Sequence, residues 1–185
     1  NFGNKVSCLI SRNGDLIHGI YLQATLPTLV ATDAGTSGLA VRWIDNVGHF
    51  LIKQVDLEIG GQLIDRQYGD WLEIWSQLTV PAGQKVGYLE MIGQDVRDTL
   101  GRPTGLQADV FADSQSSITG RVIYVPLQFW FCRNVGLALP LIALQYHEVK
   151  VNLEFRAQAD LISHASFTAG SLASTSLWVD YIYLD

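Results

Sequence analysis

LQFWFCRNVGLALPLIALQYHEVKVNLEF, Leu127 to Phe155, holds one thiol and one histidine, and most of the rest is apolar. In its last third Val149, Val151, Leu153 and Phe155 alternate with Glu148, Lys150, Asn152 and Glu154. A period of two puts successive side chains on opposite faces, so Gln145 to Phe155 is expected to be a strand with one buried face. Upstream, from Arg121 to Cys132, the odd positions Ile123, Val125, Leu127, Phe129 and Phe131 are all apolar. The even positions Val122, Tyr124, Pro126 and Trp130 are largely apolar too. A strand greasy on both sides is expected to be covered on both sides. Val135 to Leu144, the most apolar stretch, is broken by Gly136 and Pro140. No run reaches the length of a membrane span, so the chain is expected to be soluble.

Working outward, Ile17 to Leu26 repeats the alternation, with His18, Ile20, Leu22, Ala24 and Leu26 on one side and Tyr21, Gln23 and Thr25 on the other. Asn13-Gly14 precedes it, a pair suited to positive φ, and predicts a tight hairpin between Lys5–Ile10 and this strand. Leu51, Val55, Leu57 and Ile59 share a face with Lys53 as the exception; Gly60-Gly61 then predicts a turn, with Gln62 to Gln67 returning. One helix interrupts the strands. Asp70 and Glu73 have the spacing of a capping box, and Trp71, Ile74, Trp75 and Leu78 that of a buried stripe. A weaker helix is expected over Lys85 to Ile92, ending at Gly93. Gly101 to Gly120, rich in Gly, Asp, Ser and Thr, reads as a long exposed surface loop. Ser176 to Leu184 forms a last strand. An eighth is expected at Ala40 to Ile44 or at Leu161 to Phe167.

Many strands with long connections and no βαβ alternation imply an all-β protein. The expected fold is an eight-stranded antiparallel jelly-roll sandwich with a short helical insertion and long loops. No repeat or linker divides 1–185, so one domain is expected. The chain starts at Asn1 without a Met, and residues are expected to be missing before Asn1 and perhaps after Asp185. Lys and Arg number 12 against 18 Asp and Glu, giving a net charge of −6 without a basic stripe. Direct nucleic-acid binding is therefore not expected. Cys8 and Cys132 allow one disulfide, but one pair is not a framework, and reduced core thiols are the favoured reading.

The candidates for chemistry are sparse. Of His18, His49, His147 and His164, only His147 has an acidic neighbour, Glu148, and adjacent strand residues point to opposite faces. His147, in register with Val149, reads as a core histidine rather than a metal ligand, and His18 likewise. Cys132 beside Arg133 suggests an activated thiolate, against which stands its place at the end of Phe129-Trp130-Phe131. Asp56 and Glu58 share a face as a glycosidase pair would, although outward carboxylates are usually solvated. Trp43, Trp130, Trp178 and Tyr181 are candidates for a sugar-stacking platform, or for core and subunit contacts. Trp71 and Trp75 are assigned to packing. No enzyme, catalytic residue, cofactor or metal is expected.

Longer motifs carry a resemblance. GLALPLIALQYHEVKVNLEF (Gly136 to Phe155), VSCLISRNGDLI near the start, DLEIGGQLIDRQYGDWLEIW in the middle and SLWVDYIYLD at the end occur in the order seen in the major capsid proteins of nucleocytoplasmic large DNA viruses. The chain resembles the first jelly roll of that double jelly-roll family across essentially its whole length. The resemblance implies a structural protein of the virion, assembled in host cytoplasm. Homotrimers would form pseudo-hexameric capsomers of an icosahedral capsid shell. Implied partners are neighbouring capsomers, with minor capsid proteins and an underlying membrane as further ones. The alternative reading is a carbohydrate-binding β-sandwich module.

Overall fold

The computed structural model describes residues 1–31, 42–94, 117–162 and 167–184. Its strands are β1 (Lys5–Leu9), β2 (Leu16–Thr25), β3 (Leu29–Ala31), β4 (Ile52–Ile59), β5 (Gln62–Tyr68), β6 (Ser117–Ile118), β7 (Val122–Pro126), β8 (Leu139–Pro140), β9 (Val149–Phe155), β10 (Phe167–Ala169) and β11 (Thr175–Ile182). Helices α1 (Val47–Leu51), α2 (Gly69–Thr79), α3 (Ala82–Met91) and α4 (Trp130–Arg133) are inserted between them. One sheet, called A here, has the order β1-β9-β4-β5, and the other, B, the order β11-β2-β7 with β8 paired to β2. A short sheet β10-β3-β6 continues sheet B in the same order, because each of its strands adjoins its counterpart in the chain. All pairings are antiparallel, and the chain crosses repeatedly between the sheets. That crossing is the jelly-roll arrangement.

The core lies between the two inner faces. Strand β9 buries Val149, Val151, Leu153 and Phe155, and β2 buries Ile20, Leu22 and Ala24, as the alternation predicts. Ile17 is buried as well, out of phase with Ile20. A bulge explains it: Gly19 faces Asp180 while Ile17 faces Tyr181, so His18 is the extra residue and the face switches there. The Lys53 exception has the same origin. Ile52 faces Phe155 and Gln54 faces Glu154, leaving exposed Lys53 as the residue without an opposite.

The β4–β5 hairpin forms at Gly60-Gly61, both with positive φ (59° and 79°), the conformation a side chain resists. The predicted hairpin at Asn13-Gly14 does not form. Strands β1 and β2 lie in different sheets, and neither Asn13 nor Gly14 has positive φ. Gly14 instead gives room to Tyr181, whose Cβ would sit 2.7 Å from a Cβ on residue 14. Arg12 donates to the carbonyls of Leu144 (2.8 Å) and His147 (3.0 Å), and also to that of Gln145, which ties this crossover to the turns before β9.

Three further expectations change. The strand expected over Arg121–Cys132 ends at Pro126, and a helical turn follows at Trp130. Burial at odd positions nonetheless continues through Ile123, Val125, Leu127, Phe129 and Phe131. Val122 and Tyr124 are 45% and 42% exposed, so this strand is not covered on both faces. In α2 the buried residues are Gly69, Leu72 and Ser76, while Trp71, Ile74 and Leu78 of the predicted stripe point outward. Helix α3 runs where the weaker pattern placed it, with Gly93 at positive φ just beyond. Of the two candidates for an eighth strand, Trp43 and Ile162 form a single antiparallel bridge to each other. Residues 40–41 and 163–166 lie outside the described residues, as do 101–116 of the predicted long loop.

Candidate functional surfaces

The histidines do not converge. His164 lies outside the described residues. His18 is half-buried, its Nδ1 3.2 Å from the carbonyl oxygen of Phe131. His147 is exposed, contrary to the core reading, because it sits in the turns before Val149 and the strand register does not extend back to it. Among the described residues no three His, Cys, Asp or Glu side chains are grouped to hold a metal ion.

His49, given no role by the sequence pattern, is the polar centre of the helical insertion. It is fully buried in α1; its Nδ1 donates to Glu73 Oε2 of α2 at 2.7 Å and its Nε2 accepts from Tyr88 Oη of α3 at 2.9 Å. Burial lowers the His49 pKa against the opposing pull of Glu73. A neutral imidazole with Nδ1 protonated satisfies both partners. Glu73 therefore binds another helix and not its own N-terminus: α2 has Tyr68 at its N-cap with no side-chain cap, and Asp70 pairs with Arg156 at 3.3 Å. The capping-box spacing was the available signal, and it pointed to the wrong partner.

The thiols are free, and burial pushes the Cys132 pKa up to about 11, opposite to activation. Asp56 is held by Arg66 through Nε (2.8 Å) and Nη2 (2.9 Å) and by Gln54 Nε2, and the Arg66 hydrogen bonds lower its pKa. That carboxylate is an ion-pair partner, not a poised acid beside Glu58. The four sugar-platform candidates do not share a surface. Trp43 is 4% exposed and stacked on Phe2, Trp130 meets Phe131 edge-on, and the Tyr181 hydroxyl donates to the Ser11 carbonyl. Trp178 alone among them is largely exposed, at 59%.

What the fold builds are faces. On the outward side of sheet A the register sets out three rows: Lys5, Glu154, Gln54 and Tyr68; Ser7, Asn152, Asp56 and Arg66; Leu9, Lys150, Glu58 and Leu63. Half of these twelve positions are charged, and neighbours are mutually paired. Glu154 takes Lys5 (2.9 Å) and Lys53 (2.5 Å), and Lys150 takes Glu148 (2.7 Å). On the outward side of sheet B the rows are Trp178, Tyr21 and Pro126, then Ser176, Gln23 and Tyr124, with Thr25 and Val122 beyond. No charged residue stands among them, and Asp180 closes the end. The Trp178 indole donates to Gln23, and the Thr25 and Ser174 hydroxyls are 2.8 Å apart, so polar groups here are satisfied within the face. A third surface is the outward side of α2. There the Arg133 guanidinium lies 4.3 Å from the Trp75 ring centroid, and Trp71 and Arg133 line a shallow groove with Arg66 and Tyr68.

A jelly-roll sandwich with ordered outer faces and no assembled reacting group defines a class of structural or binding modules. The chain belongs to the major capsid protein N-terminus family, whose model matches residues 1–185. It is 51% identical over 185 residues to the major capsid protein of Pyramimonas orientalis virus, covering 100% of this chain and 41% of that protein. Against the major capsid protein of Phaeocystis pouchetii virus the identity is 45% over 209 residues, covering 100% of this chain and 39% of the relative. The PBCV-1 virus capsid, a quasi-atomic model, superposes with a TM-score of 0.66 at 34% identity, over 100% of this chain and 39% of that one. The chain thus spans about two fifths of the length of these relatives.

Proposed function

We propose that residues 1–185 form a jelly-roll module of a viral major capsid protein, a structural component of the virion shell and not an enzyme. The observation that carries this reading is the match of the whole chain to capsid proteins of large DNA viruses. The geometry supports it: the described residues are organised as rigid sheets with differentiated faces, and their polar side chains are engaged in ion pairs and packing. The finer proposal makes this the first of two jelly rolls in a longer subunit. Three subunits form a pseudo-hexameric capsomer of an icosahedral shell assembled in the host cytoplasm. Neighbouring capsomers, minor capsid proteins and an underlying membrane are then its partners, and no catalytic, cofactor or metal site belongs to it. Native mass spectrometry of the full-length protein from virions tests this. Trimers of chains much heavier than 20.4 kDa are expected; a monomer of about the mass of this segment would overturn it.

A further inference from the structure

We infer that the outward face of sheet B is a contact surface for a second copy of the capsid protein. The inference rests on the shell reading above and names the face through which copies meet. Four of its side chains, Tyr21, Val122, Tyr124 and Trp178, come from three adjacent strands and present rings or a branched aliphatic group outward. Trp178 is 59% exposed, Val122 45% and Tyr124 42%. Aromatic enrichment with loss of charge marks the dehydrated centre of a protein interface. Three strands about 4.8 Å apart and five residues at about 3.3 Å rise cover on the order of 250 Å², the size of such a centre with its rim lying beyond.

Charge selects the occupant. Each copy carries a net charge of −6, so two copies repel unless they meet where charge is absent. Bringing sheet A against another copy would strip water from Glu154, Asp56, Lys150 and Glu58. Glu154, Asp56 and Lys150 already have partners and gain no new one from the contact. Sheet B can be dehydrated without that cost, since its exposed area is apolar and its central amide and hydroxyls already bond each other. A face of this kind permanently in water would be an aggregation liability in a protein made to high local concentration.

The test uses the full-length protein with Trp178→Lys and Tyr124→Lys, and Leu9→Lys as the matched change on sheet A, where Leu9 is 58% exposed. Sedimentation and thermal melting are measured on each. Both sheet B variants are expected to keep the wild-type melting temperature and to self-associate at least tenfold more weakly, with Leu9→Lys unchanged. Wild-type association in both sheet B variants overturns the inference. A lowered melting temperature with association intact also overturns it, since the face is then covered by the remainder of the same polypeptide. Should either variant fail to fold, hydroxyl-radical footprinting of the wild type decides: Trp178 and Tyr124 must be protected in assemblies and oxidised after dissociation, and equal oxidation overturns the assignment. Protection of Trp178 in dissociated protein by an added glycan mixture would assign the face to carbohydrate instead. A wild type that never associates fails the shell reading itself, a result distinct from all of these.

Discussion

The two outward faces are built on the same pleated backbone and sit on the same core, yet they solve opposite problems. Sheet A sets Lys5 and Lys53 around Glu154, and Arg66 across Asp56, so each charge has a neighbour of the other sign within the sheet. Sheet B sets Trp178 beside Tyr21 and Gln23 beside Tyr124, with no charge to hydrate. Strand geometry alone puts alternate residues outside; side-chain chemistry decides whether outside means water. A charged ladder is stable in solvent and costly to cover, whereas an aromatic one is tolerable in solvent and favourable to cover. The contrast assigns different tasks to two surfaces of one fold.

If the faces differ only outward, damage to their shared interior should exceed any change made on either. Phe129 is fully buried and stacked on Phe131 at 5.6 Å, so Phe129→Ala is expected to cost about 3–5 kcal/mol in chemical denaturation. Wild-type stability would mean that the inner faces have been misplaced. Next in size is the helical insertion. His49→Ala strands Glu73 and Tyr88 and is expected to cost about 2–3 kcal/mol. Because burial lowers the His49 pKa, the folded state resists protonation more than the unfolded one. Its contribution is complete above the unfolded value of about 6.5 and declines as pH falls below it, a slope that His49→Gln should remove.

Smaller effects address sheet A itself. Gly60→Val places a branched side chain at φ 59°, with its Cβ 2.6 Å from His147 Nδ1, and is expected to cost about 1–2 kcal/mol. The Asp56 carboxyl, held low by Arg66, contributes stability that is present above about pH 4 and is lost as pH falls through its depressed folded value. An acid titration of Asp56→Asn should show a shallower loss than wild type; an identical curve would show that the Asp56–Arg66 pair contributes nothing. Smallest of all, Lys5→Ala should leave melting unchanged at high salt, since exposed pairs are screened. A clear loss there would make sheet A's charges a stabilising network and not merely a hydrated surface.

Local signals in the sequence were sufficient where one short stretch decides the outcome. Val149 to Phe155 alternates and is a one-faced strand; Gly60-Gly61 permits positive φ and is a hairpin turn. Bulges at His18 and Lys53 left visible slips in the alternation. Signals failed where the partner is remote. Asn13-Gly14 looks like a turn between paired strands, but β1 finds β9 and β2 finds β7, β8 and β11. The Trp71-Ile74-Trp75-Leu78 stripe is real, yet helix α2 buries Leu72 and Ser76 beneath it. Amphipathic spacing says that a face is apolar, not that this chain covers it. Long motifs in Gly136 to Phe155 and Asp56 to Trp75 pointed to the capsid family, and the whole-chain family match agrees.

By itself the sequence determined the strand periods, the Gly60-Gly61 turn, the helix positions after Tyr68, the acidic balance and the family. These depend on neighbours in the chain and on shared motifs. The tertiary structure alone decided which strands pair, that His49 joins Glu73 to Tyr88, that Val122 and Tyr124 stay exposed, and that Trp178 lies beside Tyr21. Those outcomes depend on contacts between residues far apart in the chain, and the pattern of any single stretch is compatible with several partners.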